Sequence, residues 1–278
     1  MIYRWLYDHS NFLHRTLYRI SKKIRSKVES GQEKQGRERR DAEYLLISPT
    51  NCGRTWLRVM IGKAIQLHFD IKSQNLHYLY SFSEINPHIP SIKAIHERYQ
   101  QFGSYENKKV ILLVRDPRDA MVSRYMQLKA KGEQPGEDIS TYLIENSSLR
   151  GDYIKIYNDW ATGKEQAKAF LLVRYEDLRQ NTDGEMKRIF EFLEIPCSES
   201  HIAEAVEYAS LRNMRKMERQ GSAEVRTGVF QTASNLAPDA YKVRKGEVGG
   251  YRNYISPEMQ AIADNIIRQE LDSLYGYL

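Results

Sequence analysis

The chain has 278 residues, 41% hydrophobic and 28% charged, enough to bury a sizeable core, so one principal domain is expected. No window reaches the roughly 18 apolar residues of a membrane-spanning helix, mean hydropathy is −0.63, and two cysteines, Cys52 and Cys197, make no disulfide framework and cannot by themselves supply the four ligands of a structural zinc site; a reducing compartment is the default. The net charge of +6 sits in residues 1–40, with eleven Lys or Arg against four Asp or Glu, leaving about −1 for the rest, so nucleic acid is not an expected partner of the body of the chain.

From Leu13, the residues Leu17, Ile20, Ile24 and Val28 recur at three- and four-residue steps, with Arg15, Arg19, Lys22, Lys23, Arg25 and Lys27 on other faces. This predicts a basic amphipathic helix, suited either to an anionic membrane surface or to packing against its own domain. Charge interleaved with the apolar residues rules out a signal-peptide layout. The run from Glu29 to Asp41, rich in Gly, Gln, Glu and Arg, reads as a solvated linker. Domain boundaries follow: 1–40 as basic helix and linker, 41–278 as the folded body.

Short apolar runs then alternate with helical patterns: Tyr44 to Ile47 before Trp56 to Leu67, Val110 to Val114 before Pro117 to Ala130, and Phe170 to Val173 before Thr182 to Leu193. Strand and helix in alternation predict an α/β fold, a parallel sheet flanked by helices. Helix starts are marked by Asp116 with Pro117, by Ser256 with Pro257, and by Thr182 with Glu185 as a capping box.

In the first unit the strand runs into Pro49, Thr50, Asn51, Cys52, Gly53, Arg54, Thr55 and Trp56. Such a turn aims backbone amides and a helix dipole at an anion, and Gly53 lets the backbone come close to phosphate oxygens. A nucleotide kinase would read Gly-Lys-Ser or Gly-Lys-Thr here, whereas this loop reads Gly53, Arg54, Thr55. Trp56 is placed either to stack on a purine or to serve the core.

The loop Gly53-Arg54-Thr55-Trp56-Leu57-Arg58 resembles that of sulfotransferases dependent on 3'-phosphoadenosine 5'-phosphosulfate (PAPS), with Asn51 where the family has lysine and Cys52 where it has serine. The resemblance implies a P-loop-like strand-loop-helix in a single sulfotransferase-fold domain, PAPS as donor cosubstrate, no metal, and sulfuryl transfer to a hydroxyl or amine of a small molecule, glycan or lipid. It extends to Arg115 and Ser123, which match the family's 3'-phosphate segment, as a guanidinium at a strand end and a helix hydroxyl would suit; the alternative is that Arg115 pairs with Asp116 or Asp119. Tyr175, in Val173-Arg174-Tyr175-Glu176-Asp177-Leu178, matches a tyrosine at the adenine edge. Leu211 stands for a phenylalanine that holds adenosine, shifting grip toward Trp56. Arg244, Lys245 and Gly246 match the segment closing over the 3'-phosphate, and residues 218–245 have the length of a lid or insert.

His96 matches the family's catalytic histidine and has the chemistry of a general base, with His68, His77 and His88 as substitutes. With lysine absent at Asn51, charge on the leaving phosphate would fall to Arg54, the loop amides and Lys93. Two other readings stay open: a catalytically degenerate nucleotide-binding or membrane-associated protein, favoured by Asn51, and a kinase-type phosphotransferase using Asp116 as a magnesium ligand. The body is expected in the cytoplasm, with residues 1–28 as a peripheral contact to the inner membrane surface. After Asn253 no family dimerisation pattern is recognisable, and the sequence leaves oligomeric state open.

Overall fold

Four short apolar runs build the sheet. The computed structural model describes residues 30–72, 75–96, 98–99, 105–135, 138–144, 148–220 and 246–277, so the basic segment 1–28 and the pair Arg244 and Lys245 lie outside the described residues. In chain order the elements are α1 (Gly31–Asp41), β1 (Tyr44–Ile47), α2 (Arg54–His68), α3 (Tyr80–Ile85), β2 (Ile92–Ile95), β3 (Lys109–Val114), α4 (Pro117–Ala130) and α5 (Ile139–Ile144). A π-helical segment, Ser148–Ile154, runs into α6 (Lys155–Gly163). Then come β4 (Ala169–Arg174), α7 (Tyr175–Gln180), α8 (Thr182–Phe192), α9 (Glu199–Tyr208), α10 (Leu211–Gln220), a 3-10 turn at Gly250–Asn253, and α11 (Pro257–Glu270).

The strands pair in parallel in the order β2-β1-β3-β4, with Leu46 opposite both Ala94 and Ile111 and Leu112 opposite Leu172. Leu45, Leu46, Ile47 and Val110 through Val114 are all fully buried, which is why these runs show no alternation: both faces of a parallel sheet are covered by helices. Leaving β1, the chain goes to β2 on one side, while β3 and β4 lie on the other. The crevice beyond the carboxyl ends of β1 and β3 is therefore the switch point at which such sheets bind ligands. The three strand-helix units expected from the sequence are all present. The edge strand β2, only four residues long, carried too little pattern to be read in advance.

Local signals account for most helix starts. Asp116 caps α4 by accepting from the Arg118 amide, with Pro117 at the first position, and Ser256 does the same for α11 ahead of Pro257. At α8 the expectation needs correction: the cap is Asn181, accepting from the Gly184 amide, while Thr182 donates to the Leu178 carbonyl and Glu185 turns to Arg188.

The solvated linker expected over 29–41 is also corrected. Ser30 and Glu33 form a reciprocal capping box that starts α1, and Glu38 on that helix is buried. It pairs with Lys93 of β2 at 2.5 Å and accepts from the Tyr78 hydroxyl. A carboxylate is tolerated in the interior when paired and hydrogen-bonded, and these partners come from more than 35 residues away, where composition cannot see them. Among the described residues, no helix is long and apolar enough to cross a membrane.

Candidate active site

A cavity of about 330 Å³ lies at the switch point, lined by the β1–α2 loop, the end of β3, α4, the start of α7, α10 and the segment around Gly246. Its floor is the loop from Pro49 to Gly53, where Asn51 and Gly53 take positive φ values of 60° and 90°. At Gly53 only glycine fits: a Cβ there would lie 2.6 Å from the Tyr175 ring. Gly53 caps α2 without any side-chain hydrogen bond, leaving the first-turn amides and the positive end of the helix facing the cavity, as an anion site requires.

Arg54 and Arg58, one turn apart on α2, both line this cavity. Arg54 Nη1 and Arg58 Nε are buried with no hydrogen-bond partner among the described residues. Burial, with Arg58 nearby, pulls Arg54 down to about 9, and burial pulls Arg58 down to about 10. Two guanidinium groups held this way gain from any anion that enters. Arg58 was visible in the loop motif, but its role was not assigned from sequence; the signal available was its spacing of four from Arg54.

Asn51 and Thr55 line the same end. The Asn51 amide donates across to Ser123 Oγ at 3.5 Å and to Gln127 Oε1 at 3.4 Å, so it ties the loop to α4 where the family would place a lysine charge. Cys52 is a correction. Its thiol is fully buried beneath the loop, within 3.5 Å of the Tyr157 hydroxyl, and burial pushes it up to about 12; it supports the loop from behind and does not line the cavity.

At the other end, Arg115 leaves β3 and turns inward, buried, its Nη1 donating to the Asn51 carbonyl at 3.3 Å and its Nη2 to the Glu247 carbonyl at 3.0 Å. Its Nε is buried without a partner among the described residues. Of the two carboxylates named as alternative partners, Asp119 does form an ion pair with it and Asp116 is engaged elsewhere. Asp116 binds Arg118 at 2.6 Å, which also removes it as a magnesium ligand for a kinase reading. Asp119 accepts from the Gly249 and Tyr251 amides at 2.7 and 2.8 Å and stands 3.9 Å from Arg115, so it braces the segment after Gly246. Gly246 itself, at φ 66°, lines the cavity beside Ser123 and Leu211.

An aromatic wall joins the two ends. Tyr175 lies under the Arg115 guanidinium at 4.5 Å and meets the Trp56 ring edge-on at 6.0 Å. Trp56 Nε1 donates to the Ala209 carbonyl at 2.9 Å, fixing its ring, and Arg179 covers it at 5.5 Å. Trp56 thus both lines the cavity and anchors α2 to the end of α9.

His96, one residue beyond β2, lines the cavity opposite. Its Nδ1 lies 2.8 Å from the Ser48 carbonyl; a carbonyl only accepts, so Nδ1 carries a proton, and in the neutral tautomer this leaves Nε2 as the basic nitrogen. The substitutes fall away, since His68, His77 and His88 are outside the lining, and so is Lys93, whose charge is spent on Glu38. Asn51, Gly53, Arg54, Thr55, Trp56, Arg115, Ser123, Tyr175, Leu211, Gly246 and His96 are brought to one cavity.

Comparison with known proteins bears on the family and the fold. The family model described as "Sulfotransferase domain" matches residues 41–274. Cytosolic sulfotransferase 12 of Arabidopsis thaliana is 24% identical over 265 residues, covering 84% of this chain and 78% of that protein, and Cytosolic sulfotransferase 10 of the same plant is 30% identical over 176 residues, covering 59% and 50%. In structure, the chain is similar to mouse sulfotransferase SULT7A1 complexed with PAP, with a TM-score of 0.59 and 22% identity over 83% of this chain and 84% of that one. It is also similar to retinol dehydratase in complex with androsterone and the inactive cofactor PAP, with a TM-score of 0.65 and 17% identity over 82% and 80%; these likenesses bear on the fold. With the family model spanning nearly the whole folded body, this chain belongs to the sulfotransferase family.

Proposed function

We propose that the chain transfers a sulfuryl group from PAPS to a hydroxyl or amine acceptor, with His96 as general base. The observation that carries this is one cavity lined by three arginines, each holding a buried nitrogen with no hydrogen-bond partner among the described residues: Arg54 and Arg58 beside the uncapped amino end of α2, and Arg115. A donor with a phosphosulfate at one end of its ribose and a 3'-phosphate at the other carries enough negative charge to use all three. Ser123, Arg115, Gly246 and the pair Arg244 and Lys245 are assigned to the 3'-phosphate. Trp56, Tyr175 and Leu211 are assigned to the adenosine.

When bound, the donor supplies the sulfuryl group, and the acceptor oxygen or nitrogen bonds to sulfur as the bond to the phosphate oxygen breaks. His96 Nε2 takes the acceptor proton, its ring held by the Ser48 carbonyl. Arg54, Arg58 and the loop amides stabilise charge on the departing phosphate from positions fixed before the reaction. The Asn51 amide contributes a dipole and a loop brace but no charge, which also favours a second reading: a member that binds nucleotide without turnover.

The acceptor is a small molecule, glycan or lipid, and contact of residues 1–28 with an anionic membrane surface belongs to the same proposal, as does a cytoplasmic location, supported by the names of the cytosolic relatives. Two measurements test the function. Calorimetry should show PAP binding in preference to AMP, and His96→Ala should lose roughly 10²–10⁴-fold in turnover with PAP affinity unchanged. Absence of PAP binding overturns the assignment; PAP binding without sulfate transfer to any acceptor in a cell extract selects the second reading.

A further inference from the structure

Outside the donor cavity, three side chains from separate parts of the sequence converge on one point. His68 is the last residue of α2, Cys197 lies between α8 and α9, and His201 is in the first turn of α9. Their ligating atoms all lie within 4.8 Å of one another. All three are part-buried, and the His68 and His201 rings meet edge-on at 6.1 Å. His201 Nδ1 is buried with no hydrogen-bond partner among the described residues, the kind of orphaned nitrogen that costs desolvation unless something coordinates it. Cys197 leans against α2, its Sγ 3.9 Å from the Ala64 carbonyl.

We propose that His68, Cys197 and His201 form a zinc site with water as fourth ligand. Two imidazoles and one thiolate are a borderline-soft set that suits zinc, and the absence of a carboxylate from the trio disfavours magnesium or calcium. Bond lengths of roughly 2.0–2.3 Å place tetrahedral ligand atoms about 3.3–3.6 Å apart, a contraction within reach of side-chain rotation from the observed arrangement. On binding, the Cys197 thiol gives its proton to solvent and its sulfur to the metal.

The position gives the ion a structural role. Helices α2 and α9 are already fastened at one end by Trp56 to Ala209. Zinc would fasten the opposite end, about 20 Å away along α2 by its helical rise, holding the helix whose amino terminus forms the phosphate loop. It takes no part in sulfuryl transfer, and its test does not depend on donor binding.

The test uses the tag-free, reduced, metal-stripped full chain. Zinc titration against a chromophoric chelator should reveal one ion per chain, and Co²⁺ in its place should give the intense bands of tetrahedral coordination together with thiolate charge transfer. Cys197→Ser should abolish the charge-transfer band, and both Cys197→Ser and His201→Gln should weaken zinc binding by about tenfold or more. Zinc should raise the melting temperature of the wild type and not of the variants. Should the variants fail to fold, the wild-type cobalt spectrum decides, because Cys52 is buried under the phosphate loop and only Cys197 can supply that thiolate. No zinc retained against the chelator, no thiolate band with cobalt, or zinc bound equally well by folded Cys197→Ser and His201→Gln, would each overturn the proposal.

Discussion

Gly53→Ala should damage the phosphate loop in two separable ways. Position 53 sits at φ 90°, where a side chain costs about 1–2 kcal/mol. The added Cβ would also lie 2.6 and 2.8 Å from Tyr175 Cδ2 and Cε2, and forcing a methyl into packed surroundings costs about 1–3 kcal/mol. Together these amount to roughly 2–5 kcal/mol, which in a domain of this size lowers the melting temperature on the order of 5–15 °C. If the ring yields instead, it carries away the surface under Arg115 and the edge contact to Trp56, and the loss appears as weaker PAP binding. A double-mutant cycle with Tyr175→Ala separates the terms: without the ring, Gly53→Ala should cost only the backbone share, giving a coupling of about 1–3 kcal/mol. An equal cost in both backgrounds would refute the steric part of the reasoning, and a cost below about 0.5 kcal/mol in the wild type would refute both parts.

Arg115→Gln should reduce the preference for PAP over AMP by about 10–150-fold, the worth of a charged hydrogen bond of about 1.5–3 kcal/mol; calorimetry showing an unchanged ratio would remove Arg115 from the 3'-phosphate. Asn51→Lys should raise turnover roughly tenfold or more by restoring a charge at the leaving phosphate, whereas unchanged turnover with intact PAP binding would show that Arg54 and Arg58 already fill that role. For Cys52, the native thiol is raised from 9.0 to about 12 by burial. The unfolded chain therefore loses this proton first, so its contribution to stability is complete below about pH 9 and is lost as pH rises toward 12. Cys52→Ala should flatten that alkaline decline in unfolding experiments, and an unaltered slope would contradict the assignment.

Much of the site was legible because its chemistry is local. The strand-loop-helix, the arginine closing β3 and the tyrosine opening α7 each sit at the carboxyl end of an apolar run, and the parallel sheet aligns those ends. What remained hidden depends on distant partners. Cys52 reads as a loop residue facing a ligand until Tyr157, 105 positions on, receives its thiol; Lys93 reads as an active-site cation until Glu38 takes its charge. A linker by composition became a helix because that same Glu38 has somewhere to be buried.

The sequence by itself determined the three strand-helix units and the place of the candidate anion-binding loop, since periodicity and turn chemistry act between near neighbours. Tertiary structure alone decided which arginines of the cavity hold a nitrogen with no hydrogen-bond partner among the described residues, which histidine faces it, and that His68, Cys197 and His201 meet at all, because burial and pairing are set by residues that become neighbours only when the chain has folded.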